Sequence, residues 1–403
     1  MSWLERRGLT VYLVGVAGLL PGLPGCGSSS TESSSTESSS TEDAAASADR
    51  VFVSQAGSST VLAIDAASGE PLARIDVGML PHELVLSPDQ RTLYVSLVGS
   101  QAIAEVDTAS LRVRRTLLTA PVPERRVEDD SVIQAHFDED AFSATTCYGC
   151  HYPGGAEPKY AGDRPFGLLL SPDAQKLYVT HLRESRLSVL DLDRGELEST
   201  TSLEPAGAAT EVVAIDRLGE DELWVALRAI QPSKEPGALR RLDAATFEPI
   251  AELPTGADPA ALLAMRERGS MLVSNFESNT VTIHSVSHDG ALSSSKIEAA
   301  PGPYGLLALD ADRVLSLDYY SDGVSFLNVA AGTAETLTLE SIGAPYANPT
   351  HAALSSDGKR AWIVTSGTDG HLLALDLESR RVTRDLPIDG LSFDVAVVSG
   401  ASP

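Results

Sequence analysis

From Val51 onward, apolar residues come in runs of about six, broken by turns rich in Ser, Pro, Asp and Gly, a spacing that predicts short strands and no long helix. Two stretches repeat almost verbatim. Pro81-His82-Glu83-Leu84-Val85-Leu86-Ser87-Pro88-Asp89 leads to Leu93-Tyr94-Val95-Ser96, and Pro165-Phe166-Gly167-Leu168-Leu169-Leu170-Ser171-Pro172-Asp173 leads to Leu177-Tyr178-Val179-Thr180. The second strand of each copy centres in turn on Phe52, Tyr94, Tyr178, Trp224, Leu272, Leu315 and Trp362, at intervals of 42, 84, 46, 48, 43 and 47 residues. Four short strands recurring every 40–50 residues predict an all-β, seven-bladed propeller over residues 50–398, in which each blade covers its neighbour's apolar face. Third strands ending in Asp65, Asp107, Asp191, Asp243 and Asp376 suit an Asx turn into the fourth strand.

The pattern starts at a second strand, Val51-Phe52-Val53-Ser54, and leaves a spare inner strand at its other end, Leu391 to Val398. Pairing the two closes the ring and removes its exposed edges. The interval of 84 has room for an eighth blade, but residues 121–163 lack alternation and carry charge clusters such as Glu128-Asp129-Asp130. They read as an insertion between blades two and three, and a loop of that length in a compact domain is usually functional.

Leu93-Tyr94-Val95-Ser96 and Leu177-Tyr178-Val179-Thr180, each after a Ser-Pro-Asp turn, resemble the YVTN family of propellers. The resemblance spans residues 50–398 apart from the insertion and implies the propeller fold. Later copies depart from it: Val314-Leu315-Ser316-Leu317 has no aromatic residue, and blades four to six lack Ser-Pro-Asp.

Within the insertion stands Cys147-Tyr148-Gly149-Cys150-His151, the C-x-x-C-H spacing of covalent c-type haem attachment. Two thiols two residues apart form thioethers to the haem vinyl groups, and the adjacent imidazole binds the iron. With three Cys and eight His in 403 residues, chance produces this arrangement at a frequency of roughly 4 × 10⁻⁴. A Cys147–Cys150 disulfide or a zinc site is the alternative, but neither needs a His directly after the second Cys. The reading is one covalent haem c held by Cys147, Cys150 and the proximal ligand His151. For the sixth iron position the candidates are His181, at a strand end beside the insertion, and His136, within it. Met79, His82 and an open or water-bound position are further options. The connection from one blade to the next shares a face with the loops between second and third strands. That face also collects His82, Tyr304, His351, Arg228, Phe276, Tyr319 and His371, whereas Met265 and Met271 read as blade core. The insertion's large side chains, Phe137, Phe142, Tyr148 and Tyr152, are too few to enclose a haem. One haem face is therefore expected to pack on blades two and three, near Val98 and His181.

Residues 1–26 read as an export signal: Arg6-Arg7, an apolar run from Leu9 to Leu23, and Leu23-Pro24-Gly25-Cys26. They resemble bacterial lipoprotein signals, which implies lipidation at Cys26 and a location on the periplasmic side of the outer membrane or at the cell surface. A membrane-spanning helix fits less well, because the apolar run is short and broken by Pro21 and Pro24. Residues 27–49 form a Ser/Thr/Glu-rich tether too polar to fold. With Cys26 assigned to the anchor, Cys147 and Cys150 are the remaining thiols in an oxidising compartment, and haem attachment gives them a use. The formal net charge of −26 opposes binding to nucleic acid or anionic lipid. No phosphate-binding Gly-rich loop and no G-x-S-x-G is present.

These residues point to a lipid-anchored c-type haem protein that transfers electrons to a redox partner, or meets a small substrate, at the channel mouth. A haem-dependent periplasmic redox enzyme is the alternative, together with a non-redox binding propeller in which the CxxC is a disulfide. No complete catalytic constellation is legible.

Overall fold

A computed structural model of the chain describes residues 49–120, 164–182, 184–203, 210–229, 234–344, 348–366, 369–389 and 391–400. The signal segment with Cys26, nearly all of the tether, and the insertion with His136, Cys147, Cys150 and His151 lie outside the described residues.

The described residues form seven four-stranded antiparallel sheets. In six of them the four strands follow one another in sequence. In the first blade the innermost strand is Ser392–Val398, which pairs with Arg50–Gln55 so that Arg50 faces Val398 and Phe52 faces Ala396. The other innermost strands are Pro81–Leu86, Pro165–Leu170, Thr210–Asp216, Pro259–Met265, Pro303–Ala308 and Pro349–Leu354. Each touches the next, and Ser392–Val398 touches both Pro349–Leu354 and Pro81–Leu86, so the inner strands make a closed ring. Seven blades result, an all-β propeller.

The core lies between blades. Phe52, Val61 and Ile75 of the first pack against Leu84, Leu93 and Val95 of the second, and Tyr94, Ile103 and Leu117 of the second pack against Leu168, Leu177 and Val179 of the third. Trp224 and Trp362, at the second-strand centres of blades four and seven, are buried. Outer strands alternate: Glu196–Ser202 exposes every second residue, as expected for a strand with one face in water. Turns follow the sequence. Asp65 Oδ1 accepts the N–H groups of Ala67 and Ser68, Asp107 Oδ1 those of Ala109 and Ser110, and Asp243 Oδ1 those of Ala245 and Thr246. Asn328 does the same for Ala331 in blade six, where no Asp ends the third strand. Among the described residues no helix is long and apolar enough to cross a membrane.

Candidate functional site

The inner strands begin with a shared device. Five of them open with Pro, which suits a strand's first residue because Pro lacks the N–H needed for the ladder. In each of those five the register with the second strand slips just after that Pro, as between Pro81 and Leu84 or Pro165 and Leu168. The slip leaves an inner-strand N–H without a ladder partner, and a hydroxyl from the second strand accepts it instead. Ser96 Oγ accepts from Glu83 N at 2.9 Å, Thr180 Oγ1 from Gly167 N at 2.9 Å, and Ser274 Oγ from Ala261 N at 2.9 Å. Blade one repeats the device: its inner and second strands also slip in register, and Ser54 Oγ accepts from Asp394 N at 3.0 Å. The Ser or Thr that closes the repeated Leu-Tyr-Val motif is thus what steadies the distorted start of the inner strand.

At three adjoining blades these starts carry imidazoles and carboxylates. His82 Nδ1 lies 3.2 Å from Glu83 Oε1, and His351 Nε2 lies 3.8 Å from the same oxygen. His351 Nδ1 donates to the Phe393 carbonyl at 2.8 Å, which fixes its proton on that nitrogen. Asp394 Oδ2 accepts the Leu84 N–H at 2.8 Å, and its other oxygen accepts the Val395 N–H at 2.7 Å. Four titratable groups from blades seven, one and two therefore meet where the ring closes. Burial pushes the Glu83 carboxyl up, but His351 and then His82 outweigh it and leave the group below its ordinary value. Asp394 goes the other way: burial, against the pull of His351, raises it to about 6. The two carboxyls are thus shifted in opposite directions, Glu83 by its histidines and Asp394 by burial. Glu83 is the more open, its side chain 21% exposed.

The His82 ring is held between Phe166, 4.3 Å away and tilted, and Phe393, 4.3 Å away and stacked. Both phenyl rings belong to an apolar group with Leu80, Val98 and Leu182. Further round the mouth, Arg228 is clamped between Glu211 and Asp258, each at 2.9 Å, and these partners keep it charged despite burial. Phe276, Tyr304 and Tyr319 pack as a buried aromatic group, with His351 edge-on to Tyr304 at 5.4 Å.

His181 does not reach the mouth as a free imidazole. It is fully buried, its Nε2 2.8 Å from Ser188 Oγ and its Nδ1 3.4 Å from an Arg186 guanidinium nitrogen. Burial lowers it to about 4, so the ring is neutral. Ser188 Oγ donates in turn to the carbonyl of Thr119, just past the outer strand of blade two. The expectation that His181 offers a nitrogen to iron does not fit this arrangement. His371 bonds Asp385 at 2.7 Å, and Met265 and Met271 are in the core. Val98 is buried in the apolar group beside His82. Glu83, Glu211, Asp258 and Asp394 carry much of the site's charge and were not singled out from sequence. The available signal was position: Glu83 and Asp394 both follow the second residue of an inner strand. Among the described residues no group of three or more His, Cys, Asp and Glu is arranged to hold a metal ion.

The model of the YNCE-like β-propeller family matches residues 3–127. No curated protein sequence matches. Among solved structures the chain is similar to Pseudomonas aeruginosa periplasmic gluconolactonase PpgL, with TM-score 0.62 and 17% identity, over 88% of this chain and 99% of that one. It is also similar to the Kuenenia stuttgartiensis hydrazine synthase, with TM-score 0.57 and 13% identity, over 92% and 100%. A third is the dihydro-haem d1 dehydrogenase NirN, with TM-score 0.55 and 15% identity, over 87% of this chain and 75% of that one. At these identities the likeness is one of fold: this is a seven-bladed propeller.

Proposed function

We propose that the chain is an exported, lipid-anchored c-type haem protein in which the propeller serves as the platform for one haem c and the channel mouth receives a redox partner or small substrate. The observation that carries this reading is the Cys147-Tyr148-Gly149-Cys150-His151 motif, in a segment that re-enters the fold at Pro165 and Phe166. The donor set suits haem c: two thiols for the vinyl groups and one imidazole for iron. Bound haem would supply one-electron chemistry. In this reading Cys147, Cys150 and His151 would hold the macrocycle. His181 would have to abandon Ser188 to bind iron, which leaves His136 or a residue of the mouth for the sixth position. One of the structures of similar fold is named a dihydro-haem d1 dehydrogenase.

The test is expression of the full chain with haem-maturation machinery and a pyridine haemochrome assay on the purified protein. A haem c signal at one per chain, lost in Cys147→Ser/Cys150→Ser, is the expected result. Exported, folded wild type without that signal overturns the haem reading and leaves the binding propeller with a CxxC disulfide. Fractionation of wild type against Cys26→Ser tests the anchor: wild type is expected with membranes and the variant in the soluble fraction.

A further inference from the structure

We propose that the outermost strand of blade five, Leu292–Glu298, is a docking edge that takes an extended, basic segment of another protein as an added strand. The proposal is independent of the haem reading. Every outer strand of a blade leaves a row of N–H and C=O groups unpaired, and such an edge pairs with other strands unless a bulge, a Pro or charge blunts it. In blades one, two, three, four and seven a register shift breaks the pairing of the third and outer strands, as between Ala63 and Ile64 or Ala374 and Leu375. Pro71, Pro249, Pro254 and Pro387 add to this in blades one, four and seven, and Arg112, Arg114 and Arg115 do so in blade two. Blades five and six have neither a shift nor a Pro: Leu292–Glu298 and Thr333–Thr338 pair in unbroken register. Blade six is still partly guarded, because Arg380 of blade seven reaches across to Glu335. Leu292–Glu298 is exposed at every residue but Ile297.

The alternation of the ladder shows which backbone groups are open. Ser287 donates to the Ala291 carbonyl and Ala299 to that of Asn279, at 2.9 Å each. Ser293, Ser295 and Ile297 therefore turn their N–H and C=O toward Thr280–Val286, and Leu292, Ser294, Lys296 and Glu298 turn theirs outward. The side chains suit an incoming strand. Ser293, Ser294 and Ser295 are small and leave room for bulkier residues of a partner, and Leu292, 38% exposed, offers an apolar contact at one end. Lys296 and Glu298 pair with each other at 2.7 Å, so the edge is locally neutral on a chain of formal net charge −26. That field repels an acidic segment or a second copy of the chain and attracts a basic segment. Strand addition draws its affinity from main-chain hydrogen bonds, which this edge offers in regular array.

The experiment uses the full chain and a capped peptide of alternating Thr and Val that carries two Lys. Saturable binding is expected, with slowed amide exchange at Ser294, Lys296 and Glu298. Lys296→Pro removes an outward N–H and spares the ladder to Thr280–Val286, so it should weaken binding by about tenfold or more. Thr336→Pro, which removes an outward N–H from the edge of blade six, should leave binding unchanged. Should Lys296→Pro fail to fold, Ser293→Lys/Ser295→Lys guards the edge with charge on an unaltered backbone and should weaken binding as much. The same peptide with Glu in place of Lys should bind at least about tenfold more weakly. No binding of the Lys peptide, equal binding of the Lys and Glu peptides, equal loss in Thr336→Pro, or protection confined to other strands overturns the proposal. Self-association of the chain that Lys296→Pro abolishes also overturns it, because the edge then belongs to a second copy.

Discussion

Asp394 Oδ2 accepts the backbone N–H of Leu84 at 2.8 Å, joining two inner strands whose residues are 310 positions apart in the chain. Both partners are buried, so the bond spans the first and second blades without help from water. Asp394→Ala would leave the Leu84 N–H without an acceptor. A buried donor left unmade costs about 1–3 kcal/mol, so the variant should unfold at correspondingly lower urea, and an unchanged midpoint would show that the bond contributes nothing.

A second buried carboxyl makes stability depend on pH. Asp318 is fully buried in blade six, where Ser316 and Ser325 donate to it; burial dominates over those bonds and raises it to about 7. In the unfolded chain it ionises near the ordinary value, so the folded form keeps its proton over a window where the unfolded form does not. The sign follows: its contribution is complete below about pH 4, falls as pH rises to about 7, and is flat above that. Relative to Asp318→Asn, wild type should lose about 2–3 kcal/mol between pH 5 and pH 8, measured by urea unfolding. Parallel curves for the two proteins would mean that the buried group is already ionised.

Gly305 sits where the inner strands of blades six and seven approach most tightly. A Cβ there would fall inside the van der Waals shell of the Thr350 carbonyl oxygen, and backbone cannot step aside as a flexible side chain can. Gly305→Ala should therefore cost about 1–3 kcal/mol or more through overpacking. Gly219, with nothing within 4 Å of a built Cβ, is the control, and Gly219→Ala should leave the melting temperature within error.

His181→Ala separates packing from ligation. Loss of a fully buried ring and of its Ser188 bond should destabilise the haem-loaded protein by about 2–4 kcal/mol while its visible spectrum stays as in wild type. A changed spin state would return His181 to the list of iron ligands.

The fold was legible because blade repeats impose a period that survives sequence drift: Trp224, Leu272 and Leu315 share little chemistry but hold one buried position. The acidic members of the site were not legible, because a single Glu or Asp in a six-residue strand looks like any other polar position. What makes Glu83 and Asp394 special is the slip after the strand's first residue, a three-dimensional event. His181 misled for a related reason. A strand's end suggests exposure, but the blade's third strand supplies Ser188 just where the ring turns inward. Asp residues at third-strand ends were legible because the Asx turn is a local interaction needing only the next three residues.

The pairing of Ser392–Val398 with Arg50–Gln55 also sets an order of events. A ribosome makes the three outer members of the first blade almost at the start of the fold and its innermost member at the end, so six blades can form before the first is whole. Until those last residues emerge, Arg50–Gln55 presents an open edge able to recruit any other strand, including one from a second nascent chain. Stop codons or missense changes near Ser392 should therefore harm yield through misassembly more than their small share of buried surface suggests.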